Sequence, residues 1–92
     1  MSVQIGNLNF DRVHYDRDAD VLYLHRADPR SAVDFDESPE GHALRYNATG
    51  ELIGVTIVNA RWLLEQEGKV TVTIPERFEV GAAALDEALA AA

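Results

Sequence analysis

A β-hairpin is encoded in Phe10-Asp-Arg-Val-His-Tyr-Asp-Arg-Asp-Ala-Asp-Val-Leu-Tyr-Leu-His25. Two runs rich in Val, Tyr and Leu flank the acidic segment 16–20, and Asp favours turns because its carboxylate can accept hydrogen bonds from nearby backbone amides. We therefore expect strands at about 11–15 and 21–26. The following Asp28-Pro29 ends the second strand.

A second hairpin follows a polar segment. Residues 31–35 predict a short strand, and residues 36–41 contain Pro and Gly and predict an exposed loop. Strands at 42–46 and 51–58 then flank the turn 47–50, which begins with Asn and ends with Gly, as tight turns often do.

The second strand of this hairpin contains Leu52-Ile-Gly-Val-Thr-Ile-Val58, which is almost continuously apolar. Such a run predicts a central strand covered on both faces. Gly54 in its middle either leaves room for a bulky side chain that crosses the strand or marks a bulge.

The spacing of apolar residues changes after residue 58 from that of a strand to that of a helix. Asn59 can cap a helix at 60–67 that Gly68 ends, and Trp62 on that helix is expected to pack on the sheet. Residues 69–74 alternate between apolar and polar side chains, which predicts a strand that Pro75 ends.

The C-terminal part completes the pattern. Residues 76–80 predict a helical turn or a loop, and the Ala-rich segment 82–92 predicts a helix with Leu85, Ala88, Leu89 and Ala92 on its apolar side. The fold class is therefore α+β in a single domain, residues 1–92. We expect antiparallel β-hairpins forming a small sheet, a short helix after the second hairpin, a further strand and a C-terminal Ala-rich helix.

Charge and composition limit the partners. The 92 residues include 16 acidic and 8 basic side chains, a net charge of −8, and the basic ones are scattered singly. This makes nucleic acid a poor partner and favours a basic partner protein, although excess carboxylates also serve simply to keep a small domain soluble.

The chain has no cysteine, which excludes disulfides, thiolate metal sites and Cys nucleophiles. We see no signal-peptide pattern and no long apolar run, so we expect a cytoplasmic protein that does not bind membranes.

Both hairpins resemble one family. Tyr15-Asp-Arg-Asp-Ala-Asp-Val-Leu-Tyr-Leu24 and Gly50-Glu-Leu-Ile-Gly-Val-Thr-Ile57 are similar to the paired hairpin motifs of the DUF2283 family of small bacterial and archaeal proteins. The resemblance covers about residues 12–60 and leaves 61–92 as a C-terminal extension. It implies a β-rich fold, no established activity and, for some members, an antitoxin role. Thr49 and Thr56 depart from the motifs, where Asp and Glu are usual.

Two groups of residues are candidates for metal binding. The spacing Asp16-x-Asp18-x-Asp20 opens a calcium loop of the EF-hand type, but the required Gly and Glu positions hold Val21 and Ala27, so a solvated turn explains it better.

His14 and His25 lie on paired strands and could approach each other, while His42 begins another strand; the three have no metal-ligand spacing. A five-residue turn would instead place Asp11 opposite His25, where a cross-strand ion pair needs no function.

No pattern for catalysis is present. The serines lack a nucleophile elbow, no phosphate-binding glycine loop occurs, and the carboxylates of 34–40 suit a solvated surface. We therefore assign no catalytic, cofactor-binding or metal residue and expect no cofactor. The leading hypothesis is a non-enzymatic protein that acts by protein–protein contact, first as a homodimer. An antitoxin-like neutraliser of a small basic toxin and a small-ligand or metal-binding module are the alternatives.

Overall fold

Nine strands and two helices form in residues 1–90, the part of the chain that the computed structural model describes. They are, in chain order, β1 (Val3–Ile5), β2 (Leu8–Phe10), β3 (Arg12–Asp16), β4 (Val21–His25), β5 (Asp34–Glu37), β6 (Ala43–Tyr46), β7 (Leu52–Val58), α1 (Ala60–Glu67), β8 (Lys69–Thr73), β9 (Arg77–Gly81) and α2 (Ala82–Ala90). The predicted α+β fold class is confirmed.

The two predicted hairpins, together with β5, form one five-stranded antiparallel sheet in the order β3-β4-β7-β6-β5. They meet at the pair β4–β7, which aligns Leu22 with Ile57 and Leu24 with Val55. β7 is central, as its apolar sequence predicts. Cover on both of its faces is a wrong prediction, because on its second face Thr56 is only half-buried and Val58 remains 39 % exposed.

The segment before β5 differs from the prediction. A 3-10 turn (Pro29–Ser31) occupies the start of the expected strand 31–35, because the Asp28 carboxylate accepts a hydrogen bond from the Arg30 amide and caps that turn. β5 therefore begins at Asp34 and continues into residues that were expected to be loop. The next turn is as predicted: Gly50 has φ 82°, and its amide donates to the Asn47 carbonyl.

Two small hairpins lie outside the main sheet. The pair β1–β2 has strands of only three residues each, too short to show a periodic pattern in the sequence. The pair β8–β9 corrects the expected helical turn or loop at 76–80, because Val80 aligns with Val70 and Phe78 with Val72. Cross-strand apolar contact decides in favour of a strand there.

One hydrophobic core lies between the main sheet and these other elements. Its buried side chains come from both hairpins, both helices and one face of the sheet: Val3, Ile5, Phe10, Tyr15, Leu22, Leu24, Leu44, Val55, Ile57, Ala60, Val70, Val72, Ile74, Val80, Leu85, Ala88 and Leu89. The predicted apolar side of α2 is confirmed at three positions, and Ala92 lies outside the described residues. Trp62 does not pack on the sheet; it is 56 % exposed, because α1 turns Ala60, Leu63 and Leu64 inward instead.

The N-terminus of α1 is capped from a distant part of the chain. Asn59 makes no capping bond and has a left-handed backbone, with φ 58°, so the predicted Asn59 cap is wrong. The Asp20 carboxylate takes this role: it accepts hydrogen bonds from the amides of Arg61 at 2.8 Å and Trp62 at 3.1 Å. The Tyr15 hydroxyl donates to the same carboxylate at 2.7 Å.

These contacts govern the charge of Asp20. Partial burial raises its pKa, but the hydrogen bonds from Tyr15 and from the two amides of α1 outweigh this and bring the pKa below its usual value. A carboxylate at a helix N-terminus is also favoured by the helix dipole. Asp20 is therefore a charged cap that joins the first hairpin to α1.

We expect Asp20→Asn to lower the free energy of unfolding by about 1–2 kcal/mol, because the amide NH₂ cannot accept from both helix N–H groups. Asn tolerates the positive φ of 56° at this position, so backbone strain does not contribute. Urea unfolding followed by Trp62 fluorescence measures the change. Asp18→Asn, in the same turn and exposed, is the matched control; an equal loss in both variants would contradict the capping role.

Candidate functional site

One face of the five-stranded sheet points away from the core. The strand registers place three rows of residues on it, Arg12-His25-Gly54-Arg45-Phe35, then His14-Tyr23-Thr56-Ala43-Glu37, then Asp16-Val21-Val58. Of these, Gly54 is the only residue that is buried. We call this surface the open face.

The open face carries aromatic and cationic side chains. Phe35 is 64 % exposed, and the Arg45 guanidinium lies over its ring at 5.8 Å from the centroid. The rings of His14 and Tyr23 stack with centroids 5.9 Å apart. Exposed aromatic side chains with arginine nearby are the side chains that protein interfaces favour.

The histidines are arranged differently from the sequence prediction. Arg12, not Asp11, lies opposite His25, because the hairpin register is set by a four-residue turn rather than a five-residue one. His14 lies opposite Tyr23, so the two histidines are on the same face without being paired. His42 is only 1 % exposed and lies in the interior, away from both.

His25 lies across Gly54. A Cβ atom at Gly54 would be 2.9 Å from Nδ1 and Cε1 of the His25 ring, so the missing side chain makes the space that the imidazole fills. The prediction that Gly54 leaves room for a bulky side chain is confirmed. A register shift between Arg45 and Tyr46 also puts a bulge beside Gly54. Desolvation lowers the pKa of His25, and the nearby charges of Arg45 and Arg12 act in the same direction.

The acidic turn makes local structural bonds. Asp16 accepts hydrogen bonds from the amides of Asp18 and Ala19, which closes the turn, and Asp20 caps α1. Within residues 1–90, no group of three or more His, Asp or Glu side chains is placed to hold a metal ion.

The carboxylates between 34 and 40 also have specific roles. In the β5–β6 ladder the amides of Asp34, Asp36 and Ser38 face β6, so those of Phe35 and Glu37 point outward. The carboxylates of Asp34 and Asp36 accept these two outward hydrogen bonds, at 3.0 and 2.8 Å. The outward amides of this edge are therefore already satisfied, which makes it less suited to adding another strand.

Glu40 connects the loop after β5 to the end of β8. It accepts hydrogen bonds from the Thr73 amide at 3.0 Å and from the Thr73 hydroxyl at 2.7 Å. Desolvation raises the pKa of Glu40, but the bonds from Thr73 outweigh it and the net shift is downward.

A groove of about 590 Å³ lies near this connection. Apolar side chains of Leu44, Leu52 and Ile74 line it together with Asp36 and Tyr46. Burial raises the pKa of Tyr46, and the carboxylates of Asp36 and Asp34 raise it further. The groove thus combines apolar lining with negative potential.

Residues 12–61, a little over half of the chain, match the family described as a protein of unknown function, DUF2283. The chain belongs to the DUF2283 family. The part that matches DUF2283 contains all five strands of the main sheet, Asp20 and the start of α1, so the whole open face lies within it. Thr56, which departs from the DUF2283 motif, lies on the open face between Tyr23 and Ala43.

No curated protein and no solved structure matches this DUF2283 chain. Neither helix within residues 1–90 is long and apolar enough to span a bilayer. The residues of the open face that sequence reasoning missed are Arg12, Arg45 and Phe35. Their alternation with apolar neighbours could have placed them on one side of their strands, but only the β4–β7 pairing brings them into one row.

His42 should make stability depend on pH. Its Nδ1 accepts a hydrogen bond from the Val58 amide at 3.3 Å, and Nε2 has no hydrogen bond of good geometry among residues 1–90. Desolvation lowers the pKa of His42, while Glu40 and the Thr71 backbone oppose the shift. The unfolded chain therefore binds a proton more readily than the folded one, and stability falls as pH drops below about 6.5.

We expect the free energy of unfolding to decrease between pH 7 and pH 5, with a smaller slope in His42→Asn, whose amide oxygen can replace the Nδ1 acceptor. Because the pKa of His25 is also lowered, some pH dependence of the free energy of unfolding should remain in His42→Asn, in the same direction. Urea unfolding at several pH values measures this. The control is His14→Asn on the exposed surface; an unchanged slope in His42→Asn would show that His42 is not the cause.

Proposed function

We propose that this DUF2283 chain is a non-enzymatic interaction module that binds another protein through its open face, and first of all a second copy of itself. The observation that carries the proposal is the contrast between the two faces of one sheet. Hairpins and helices bury most of one face, while the other presents Phe35 and Val58, and in part Tyr23, to solvent. An uncovered sheet face with aromatic side chains favours docking against another surface.

The open face also complements itself in charge. Arg12 lies on the β3 edge and Glu37 on the β5 edge, at opposite ends of the sheet. If two copies stack their open faces about a two-fold axis parallel to the central strand β7, β3 of one copy lies over β5 of the other. Arg12 of each copy would then face the Phe35 and Glu37 region of its partner, which combines cation–π and ion-pair attraction.

The β5 edge of the sheet is a weaker candidate for the interface than the open face. Because Asp34 and Asp36 already hold the outward amides of β5, a second chain gains few main-chain hydrogen bonds there. Face-to-face packing of two sheets needs only side-chain contacts.

We expect light scattering and sedimentation to give a dimer of twice the 10.2 kDa chain mass. Phe35→Ala should raise the dimer dissociation constant at least about tenfold, because Phe35 is the most exposed large apolar side chain of the open face. Trp62→Ala is the matched control, because Trp62 is similarly exposed but lies on α1. A monomer at all concentrations would overturn self-association, and dissociation by Trp62→Ala but not by Phe35→Ala would overturn the choice of surface.

A second candidate function is neutralisation of a small basic protein. It is favoured by the groove beside β6, where Asp36 adjoins apolar Leu44 and Ile74, and by the net charge of −8. A Lys or Arg side chain has an apolar stem and a cationic head that match this lining.

Co-expression with the product of an adjacent gene tests this candidate. We expect a complex that weakens steeply with salt, because surface charge attraction is screened. Asp36→Asn should weaken it about tenfold, a loss of the size expected for a charge-assisted contact, while Asp18→Asn, an equal change of charge outside the groove, should not. An equal effect of both variants would leave only general attraction between opposite charges and would overturn a role for the groove.

A further inference from the structure

The first row of the open face concentrates positive charge on an acidic protein. Arg12 is aligned with His25, His25 with Gly54, and Gly54 with Arg45. No carboxylate side chain belongs to this row. Glu37 lies in the next row, and Asp28, which feels the charge of Arg12, is held by Arg30 in an ion pair at 3.0 Å.

The two guanidinium groups of the row have no acidic partner. Within residues 1–90, neither Arg12 nor Arg45 forms an ion pair or a side-chain hydrogen bond, whereas Arg30 and Lys69 each pair with a carboxylate. On a chain with twice as many acidic as basic side chains, two unpaired arginines in one row need an explanation. Guanidinium groups bind carboxylate and phosphate through parallel hydrogen bonds, which leaves these two available for such a group.

In the middle of the row the imidazole lies beside Arg45, and the charges of both Arg45 and Arg12 act on it. The His25 ring and the Arg45 Cβ lie 2.9 and 3.3 Å from the position that a Gly54 Cβ would take. Nδ1 of His25 is buried and has no hydrogen-bond partner among the described residues. The Phe35 ring supports the Arg45 guanidinium from the far side at 5.8 Å.

We propose that Arg12, His25 and Arg45 form an oxyanion-binding site on the open face, which receives a carboxylate or phosphate group carried by the binding partner. The arginines supply the charge and forked donors. The imidazole, seated over Gly54, supplies a further donor between them once it faces an anion. This inference rests on the proposed function, since it names the chemistry that the open face recognises.

The test is an NMR titration of the full chain, at a concentration where sedimentation shows a monomer, or of Val58→Ser, an exposed open-face position outside this row, if no such concentration exists. The probes are inorganic phosphate and N-acetylglutamate amide, each against chloride at equal ionic strength. We expect saturable shifts of His25, Gly54 and the Arg45 side chain that chloride does not produce. An occupied site should also raise the apparent pKa of His25, because an adjacent anion favours the imidazolium.

Arg12→Gln and Arg45→Gln should each weaken binding at least about fivefold, whereas Arg77→Gln, an equal loss of charge on β9, should not. Saturation by phosphate alone or by the carboxylate alone supports the site and identifies its ligand. Shifts that do not saturate, or equal weakening in all three variants, would overturn it. A chain that binds the anion but never dimerises would support the anion site and refute self-association. A chain that dimerises but shows no response to either anion would support self-association and refute the anion site.

Discussion

The Asp20 carboxylate is the contact on which the arrangement of the layers depends. It joins the turn of the first hairpin to the N-terminus of α1, 41 residues later in the chain, and the Asp20 carbonyl also accepts from the Ala60 amide. The chain leaving β7 is thereby directed to the core side of the sheet. Arg61, fixed by this cap, then donates to the Leu89 carbonyl of α2. Both helices are thus held on one side, and the opposite face of the sheet is left open.

Charge acts locally in this protein. The net charge of −8 describes the whole chain, but many carboxylates make specific bonds: Asp16 closes a turn, Asp20 caps a helix, Asp34 and Asp36 satisfy an edge strand, and Glu40 holds the end of β8. Two unpaired arginines, Arg12 and Arg45, lie on the open face, where outward side chains of β3 and β6 point. Net charge therefore describes long-range attraction, while recognition depends on which side of the sheet a charge occupies.

Glycine and histidine cooperate at the centre of the open face. Gly54 removes a side chain from the middle of the central strand, and the His25 ring from the adjacent strand fills the space. The arrangement lowers the pKa of His25 through burial and through the flanking arginines. A small residue in a strand thus makes room for a larger side chain on the adjacent strand, rather than weakening the sheet.

Local patterns were sufficient for the parts of the fold that rest on nearest neighbours. The two hairpins, α1, β8, the buried side of α2 and the Gly50 turn all follow from periodicity and turn residues, because those forces act within a few positions of the chain. The cap of α1, the strand at 77–81, the exposure of Trp62 and the register of His25 did not follow, because each depends on which distant segment lies alongside. The open face and its row of Arg12, His25 and Arg45 arise in the same way: alternation assigns each residue to one side of its own strand, and only the packing of the helices and hairpins determines which side remains in contact with water.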